Sequence, residues 1–363
     1  MDIWRLPGPT SFIGDIEHAV REGLNVIVRF PLEIPEGLEH ELRNRLLSEF
    51  EWRHIDTSTS NLDPLAFLLQ KVCPDVSAFD TGSVTELAAH PSFQGKLIWV
   101  EKIDNEMWPA WSMFLKSYSD ACRNIDLMSR TTFIVLLSGK AVANKVTQEA
   151  ALVSYDFKSV VDALDLFVLA LQEPKARSKH RGHRALLAHT VAQVAQWDTF
   201  LAAQLLALPL GEVLSPQNTL RQYASNRGWT SETPRYWENG TLDGPPEKPV
   251  VHSALLEVCG EARTVRRRIW MAQAAVLLPL VEEQRINLIS QGGRYLNLPI
   301  EIEDGQQIED PLDLGVGQLA RHLLDQKGIP HKLKKKVRSL RVARNKLAHM
   351  EPLEPKEALR LIN

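Results

Sequence analysis

Cysteine is scarce in this 363-residue chain, which holds only Cys73, Cys122 and Cys259. The three are scattered, without the paired spacing of a zinc site and without the even number that a disulfide framework needs. The sequence therefore predicts a reducing compartment, no bound metal and no cofactor.

Long hydrophobic runs are also missing. No apolar stretch reaches the roughly 20 residues that a membrane-spanning helix needs, and the N-terminus, Met1–Arg5, lacks the charged-then-apolar pattern of a signal peptide. We expect a cytoplasmic protein without a membrane partner.

An excess of charge of one sign is absent as well. The 42 lysines and arginines nearly balance the 45 acidic residues, and the net charge is −3. Since no overall field attracts nucleic acid, any contact with RNA has to come from local basic patches.

The first 170 residues alternate between strand-like and helical patterns. Four segments are rich in β-branched and apolar residues and predict strands: Asn25–Phe30, Trp52–Asp56, Lys96–Val100 and Thr131–Leu137. Helical stretches such as Leu38–Glu49 and Trp108–Cys122 lie between them. Uninterrupted apolar strands separated by helices predict an α/β domain with a mostly parallel sheet.

The acidic residues Glu101 and Asp104 close the third strand, and Ser138-Gly139 close the fourth. With the opening Leu6–Ile13 segment, this order resembles the P-loop ATPases of the AAA+ and STAND type. The resemblance implies a phosphate-binding loop after Phe30, and that loop is missing.

The segment that follows Phe30 is Pro31–Gly37, with two prolines, two glutamates and no lysine. Prolines remove backbone N–H donors and glutamates repel a triphosphate. ATP hydrolysis is therefore not expected, and Glu101 and Asp104 are interpreted as ordinary strand-end residues rather than as magnesium ligands. Residual nucleotide binding is the remaining alternative.

A change of composition predicts the domain boundaries. Phe157–Leu171, capped by Ser154-Tyr155-Asp156, is predicted to close the first domain, 1–172. Region 173–250 is predicted to contain a basic linker, a helix over Ala185–Leu208 and a long loop over 226–250. Residues 251–363 are predicted to form an all-α helical bundle, with a long helical run broken or kinked at Pro279, an acidic loop over Ile300–Pro311 and a helix over Leu312–Gln326.

The last long helix, Pro330–Met350, carries the most informative stretch. Its apolar residues recur three or four apart, which predicts a helix packed along one side. At about 100° per residue, Arg344 falls within about 30° of the middle of the apolar stripe, and Asn345 and His349 share a neighbouring face. A guanidinium there needs a buried partner or a facing anion, because it cannot lose its proton.

The hexapeptide Arg344-Asn345-Lys346-Leu347-Ala348-His349 resembles the Arg-polar-x-x-x-His motif of HEPN domains, which are helical and are commonly metal-independent ribonucleases. The resemblance implies a homodimer through the C-terminal helical domain. It also implies catalytic roles: Arg344 on the phosphate, His349 in proton transfer at the ribose 2′-hydroxyl, and Asn345 orienting both. The alternative is an ordinary amphipathic helix in which Arg344 pairs with a carboxylate and His349 caps the C-terminus.

Five further cations are predicted to form a basic rim for RNA around the cleft: Lys334, Lys335, Lys336, Arg266 and Arg267. Taken individually, each of them is more simply explained as an exposed residue of an amphipathic helix that needs no function.

The two resemblances together imply a defence or toxin-type protein in which a HEPN-like domain cleaves or binds RNA beside an ATPase-like scaffold that lacks catalysis. Bacterial anti-phage and toxin–antitoxin systems join such parts, which implies protein partners from the same operon. The alternative is a non-catalytic adaptor within such a complex.

Overall fold

The computed structural model describes residues 2–59, 63–75, 82–143, 146, 151–172, 181–301, 305 and 307–362. The chain divides into two compact units, Met1–Asp162 with Pro234–His252 and Ala163–Thr233 with Ser253–Asn363. This division differs from the predicted domains. Residues 163–172 of the predicted first domain lie in the second unit, and the predicted connecting region is divided, with 173–233 in the second unit and 234–250 in the first. Residues 251–252 also lie in the first unit.

The first unit is an α/β domain, as predicted, and its sheet is parallel throughout. Its helices are α1 (Pro7–Arg21), α2 (Leu38–Leu46), α3 (Pro64–Val72), α4 (Val84–Ala89) and α5 (Trp108–Ala121). Its strands are β1 (Asn25–Phe30), β2 (Glu51–Asp56), β3 (Lys96–Glu101), β4 (Thr132–Ser138) and β5 (Leu152–Asp156), with a short antiparallel pair, β6 (Leu242–Asp243) and β7 (Val250–Val251).

The sheet order is β2-β3-β4-β1-β5. Strand β1 lies inside the sheet, with Val26 opposite Ile134 of β4 and Val153 of β5. Its residues are almost all buried, because helices cover both faces of a parallel sheet. Strand β2 is at an edge and is largely exposed, which explains its weaker sequence signal.

Strand β5 corrects the sequence prediction. Ser154-Tyr155-Asp156 was expected to cap a helix starting at Phe157, but it belongs to a strand that pairs with β1. The helix begins only at Ala163. A five-residue edge strand that shows no clean alternation of buried and exposed positions leaves little pattern in the sequence.

In its described residues, the second unit is helical except for one pair of two-residue strands. Its helices are α6 (Ala163–Gln172), α7 (Arg181–Ala195), α8 (Thr199–Leu206), α9 (Leu210–Val213), α10 (Gln217–Asn226), α11 (Ser253–Val258), α12 (Ala262–Gly292), α13 (Val316–Asp325), α14 (His331–Ala348) and α15 (Pro355–Ile362). Strands β8 (Ile300–Glu301) and β9 (Gln307–Ile308) lie in the predicted acidic loop. Residues 302–304 and 306 of that loop, and residues 173–180 of the predicted basic linker, lie outside the described residues.

Two predicted helices differ from the structure in where the helix is interrupted. The helix expected over Ala185–Leu208 is two helices, because Gln196 has a positive φ of 63° and the Asp198 carboxylate caps α8 by accepting from the N–H groups of Phe200 and Leu201. The run expected to break or kink at Pro279 is one continuous 31-residue helix.

Helices α12 and α14 run antiparallel. The Trp270 indole N–H near the start of α12 donates to the Leu347 carbonyl at the end of α14, and Gly292 at the end of α12 lies against Leu333 at the start of α14. A shared hydrophobic core, which includes Leu288 and Leu340, fills the space between them. This arrangement fixes the surroundings of the motif.

Candidate functional site

The three motif residues lie at the solvent-facing end of α14. Arg344 and His349 are exposed and Asn345 is half-buried. Of the two alternatives for Arg344, the buried partner is wrong, because the side chain is exposed although its neighbours Leu340, Ala343 and Leu347 are buried. At this end α14 is held by partners on one side, and the angular position of Arg344 alone does not bury it.

The partners of this helix end come from α12 and α15. Besides the Trp270 bond at 2.7 Å, the Lys346 ammonium forms an ion pair with Glu357 at 2.8 Å. Partial burial alone would raise the pKa of Glu357, but the hydrogen bonds from Lys346 and the Glu354 N–H and the nearby positive charges together outweigh burial, and the pKa is lowered. These contacts fix Lys346 and Leu347, and therefore fix the backbone that carries the motif.

Gln273 of α12 anchors the segment that follows the motif. Its side chain is fully buried, donates to the Leu353 carbonyl at 2.9 Å and accepts from the Leu353 N–H at 2.6 Å. The sequence analysis missed both Trp270 and Gln273. The available signal was their spacing, since they lie three residues apart and so share the side of α12 that faces the end of α14.

The motif side chains do not converge within one copy of the chain. Asn345 and His349 are four residues apart and lie one above the other on the same face of α14. Arg344 is rotated by about 140° from His349 around the helix axis. One copy therefore places the cation and the imidazole on different sides of the helix end.

Helix α14 contains no acidic residue and eight cations: Lys332, Lys334, Lys335, Lys336, Arg338, Arg341, Arg344 and Lys346. Lys334 and Lys346 have partners within the second unit. The other six are exposed, and none of them forms a hydrogen bond or an ion pair with a described residue. The exposed cations thus extend over about 18 Å of helix, from Lys332 to Arg344.

The predicted rim of five cations is not one cluster. Arg266 and Arg267 are exposed about one turn before Trp270, and so lie near the motif end of α14. Lys335 and Lys336 are exposed near the opposite end, about 20 Å along the helix axis. Lys334 donates to the carbonyls of Leu324 and Gln326 at 3.0 and 3.1 Å, which satisfies the C-terminal end of α13.

The carboxyl edge of the parallel sheet is the place where open α/β sheets bind ligands, and in the first unit it is covered. We name residues Pro234–His252 the covering segment. Trp237 of this segment belongs to the core of the unit and is 6% exposed. Its ring lies under the Arg29 guanidinium at 5.5 Å, and the residues after β4, Gly139–Ala143, contact Trp237–Asn239.

The loop that replaces a phosphate cradle is in contact with the same segment. Leu32 lies so close to Gly240 that a Cβ atom there would clash with its side chain, and Gly240 has a positive φ of 70°. The Trp4 indole donates to the Glu36 carbonyl at 2.7 Å.

Beside β5, the Asp243 carboxylate accepts from the Ser159 N–H at 2.9 Å. Burial of this carboxylate raises its pKa to about 6.

The two acids at the end of β3 have structural partners. Asp104 accepts from the N–H groups of Glu106 and Met107 at the start of α5. Glu101 lies 3.4 Å from the His54 imidazole. Among the described residues no group of three His, Cys, Asp or Glu side chains is placed to hold a metal ion.

Comparison of the chain with protein-family models, with curated proteins and with solved structures gave no match. In the part of the chain that the structure describes, no helix combines the length and the apolar character needed to cross a bilayer.

Proposed function

We propose that the second unit binds RNA along α14 and that Arg344, Asn345 and His349 cleave it without a metal ion, as HEPN-like ribonucleases do. The supporting observation is the set of six exposed cations on α14 that have no partner among the described residues. Phosphates of a nucleic acid are the ligands that such a row binds, with counterion release as the driving force.

The row is unfavourable for the isolated helix. Like charges three or four residues apart repel each other, as in Lys335, Arg338 and Arg341. Cations in the first turns also oppose the helix dipole, and no acidic residue compensates for them there. An unfavourable charge row is expected where a polyanion neutralises it.

The proposed reaction is transfer of the phosphoryl group within the RNA. The 2′-oxygen attacks the adjacent phosphorus while His349 takes the 2′-hydroxyl proton, and the P–O5′ bond breaks as a proton is returned to the leaving 5′-oxygen. A 2′,3′-cyclic phosphate and a 5′-hydroxyl result. Arg344 stabilises the negative charge on the phosphate oxygens in the transition state.

The dimer is part of the proposal, because one copy places Arg344 and His349 on different sides of α14. Val342 and Met350, beside the motif, are 49% and 62% exposed. Exposed apolar side chains on a charged surface suit a subunit contact. A second copy of α14 across the helix end supplies the missing group to each phosphate.

The proposal places the protein in the cytoplasm, in a bacterial defence or toxin setting. There the first unit acts as a scaffold for protein partners from the same operon. A non-catalytic adaptor is the second candidate. The angular separation of Arg344 and His349 in one copy favours it, because a copy that stays monomeric has no assembled site.

Cleavage of a labelled single-stranded RNA in EDTA tests the catalytic proposal. We expect Arg344→Ala and His349→Ala each to reduce the rate by about 100-fold or more, with unchanged circular dichroism. Arg43→Ala, an exposed arginine on α2, is the matched control. Equal rates in all four proteins would contradict the catalytic roles.

Mixing the two inactive variants tests the shared site. An equimolar mixture of Arg344→Ala and His349→Ala is expected to regain part of the activity, since mixed dimers hold one intact pair. Val342→Glu is expected to yield a monomer in sedimentation and to lose activity. If the wild-type protein binds RNA without cleaving it, and no mixture of variants cleaves RNA, the non-catalytic adaptor remains as the function.

A further inference from the structure

A groove of about 530 Å³ lies between α12, α14 and α15 of the second unit, separate from the motif. Six polar side chains line it: Gln284, Asn287, Gln291, Lys336, Ser339 and Arg360. Three buried leucines complete the lining. Its volume is within the range of sites that hold small molecules.

The charges around this groove are positive. Lys336 comes from α14 and Arg360 from α15, and no carboxylate is among the described residues that line the groove. The nearest acid along α15, Glu357, is bound to Lys346 through both oxygens. Two cations from different helices that face one space favour an anion with several oxygens, such as a phosphate.

The uncharged polar groups favour a ligand with hydroxyl groups. The Gln284 amide N–H donates to the Leu361 carbonyl at 2.7 Å, which orients that side chain. Asn287, Gln291 and Ser339 form no hydrogen bond with a described residue. Carboxamides and a hydroxyl group both donate and accept, so they match the hydroxyls of a polyol.

The lining also argues against a nucleobase. None of the described lining residues is aromatic, and base recognition in single-stranded nucleic acids relies strongly on aromatic stacking. A purely apolar ligand would leave the polar side chains and the two cations of the groove without a partner, so such a ligand is not expected.

We propose that this groove binds a phosphorylated sugar or polyol. Lys336 and Arg360 hold the phosphate, and Asn287, Gln291 and Ser339 bind the hydroxyls. The site is independent of the motif chemistry, because Arg344, Asn345 and His349 are not among the residues that line the groove. It assigns to Lys336 a role that differs from that of Lys335, its neighbour on the outward surface.

Isothermal titration of the full-length protein with glucose 6-phosphate tests the proposal, with inorganic phosphate, glucose, AMP and a short single-stranded RNA for comparison. We expect glucose 6-phosphate to bind, phosphate to bind at least 10-fold more weakly and glucose not to bind. Lys336→Gln and Arg360→Gln are expected to weaken binding by 10-fold or more. Asn287→Ala with Gln291→Ala is expected to remove the preference for glucose 6-phosphate over phosphate.

Lys335→Gln is the matched control, since it removes the neighbouring charge outside the groove. Lys335→Gln is expected to change the affinity for glucose 6-phosphate less than 2-fold and to weaken RNA binding. Arg344→Ala is expected to abolish RNA cleavage and to leave the affinity for glucose 6-phosphate unchanged. Four results would overturn the proposal. They are no heat of binding with glucose 6-phosphate at 10 mM, an equal loss of affinity for glucose 6-phosphate in the Lys335 and Lys336 variants, tighter binding of AMP than of glucose 6-phosphate, and binding of RNA in the groove in place of glucose 6-phosphate.

Discussion

The carboxyl edge of the sheet in the first unit, where the sequence argued against ATP hydrolysis, and the outward surface of α14 in the second, where it favoured RNA binding, differ in how their polar groups are used. At the sheet edge Arg29, Asp104 and Asp243 each have a partner within the unit. On α14 the cations Arg338, Arg341 and others have none among the described residues.

This difference separates structural from functional polarity. Charged groups whose hydrogen-bond partners lie within the same unit have a structural role, because a buried donor or acceptor without a partner lowers the stability of the fold. Exposed like charges in a row add nothing to stability and point to an external ligand. Substitutions at the sheet edge and at the motif anchor should therefore affect stability, and substitutions on α14 should affect RNA binding.

The largest expected effect is at Trp237 of the covering segment. Trp237→Ala removes a ring from the core of the first unit and is expected to lower its free energy of unfolding by about 3–5 kcal/mol. Trp237→Phe keeps most of the apolar contact and is expected to cost far less. Urea unfolding followed by circular dichroism measures both, and equal losses would contradict a packing role.

The second effect concerns Gln273, the anchor of the segment behind the motif. Gln273→Leu leaves the buried N–H and carbonyl of Leu353 without partners and is expected to cost about 2–3 kcal/mol. Ser290→Ala, on the exposed side of the same helix, is the control. Thermal unfolding compares them, and a loss below 0.5 kcal/mol would exclude the anchoring role.

The third effect is a pH dependence at Asp243. Its folded pKa of about 6 is above the usual value of 3.8, so the folded state binds the proton more tightly than the unfolded state. The resulting stabilisation is complete below about pH 4 and is lost as the pH rises through 6. Between pH 7.5 and 5 the wild type should gain about 1–2 kcal/mol relative to Asp243→Asn. A parallel pH profile of the two proteins would contradict this.

The smallest effect on stability is expected on α14. Arg338→Gln with Arg341→Gln should change the free energy of unfolding by less than about 0.5 kcal/mol. The same change should reduce the slope of log affinity against log salt for single-stranded RNA by about 1.4. Arg43→Gln with Arg123→Gln, on the first unit, should leave the slope unchanged. Fluorescence anisotropy at several salt concentrations measures it.

Periodicity predicted much of the fold. Uninterrupted apolar strands such as Asn25–Phe30 and Thr131–Leu137 were identified because burial on both faces leaves a strong local signal. The α/β unit followed by helices is confirmed. Strand β5 was missed because its pairing with β1 is non-local and its own pattern is weak.

The candidate site was predicted only as a set of residues. The sequence identified Arg344, Asn345 and His349 and the cations of α14, but the angular position of Arg344 left open whether its side chain is buried or exposed. Burial depends on where neighbouring helices end, which the spacing within one helix does not contain. The separate positions of Lys335 and Arg266 along α14 and α12 likewise follow from antiparallel packing.

The sequence by itself determined the residues available for chemistry: no phosphate loop after Phe30, and a helix with eight cations and no acid. These follow from composition and order along the chain. Only the tertiary structure decided which charges are used internally, that residues 234–252 cover the sheet edge, and that Lys336 and Arg360 face one groove. Such contacts join residues far apart in the chain, and no local pattern encodes them.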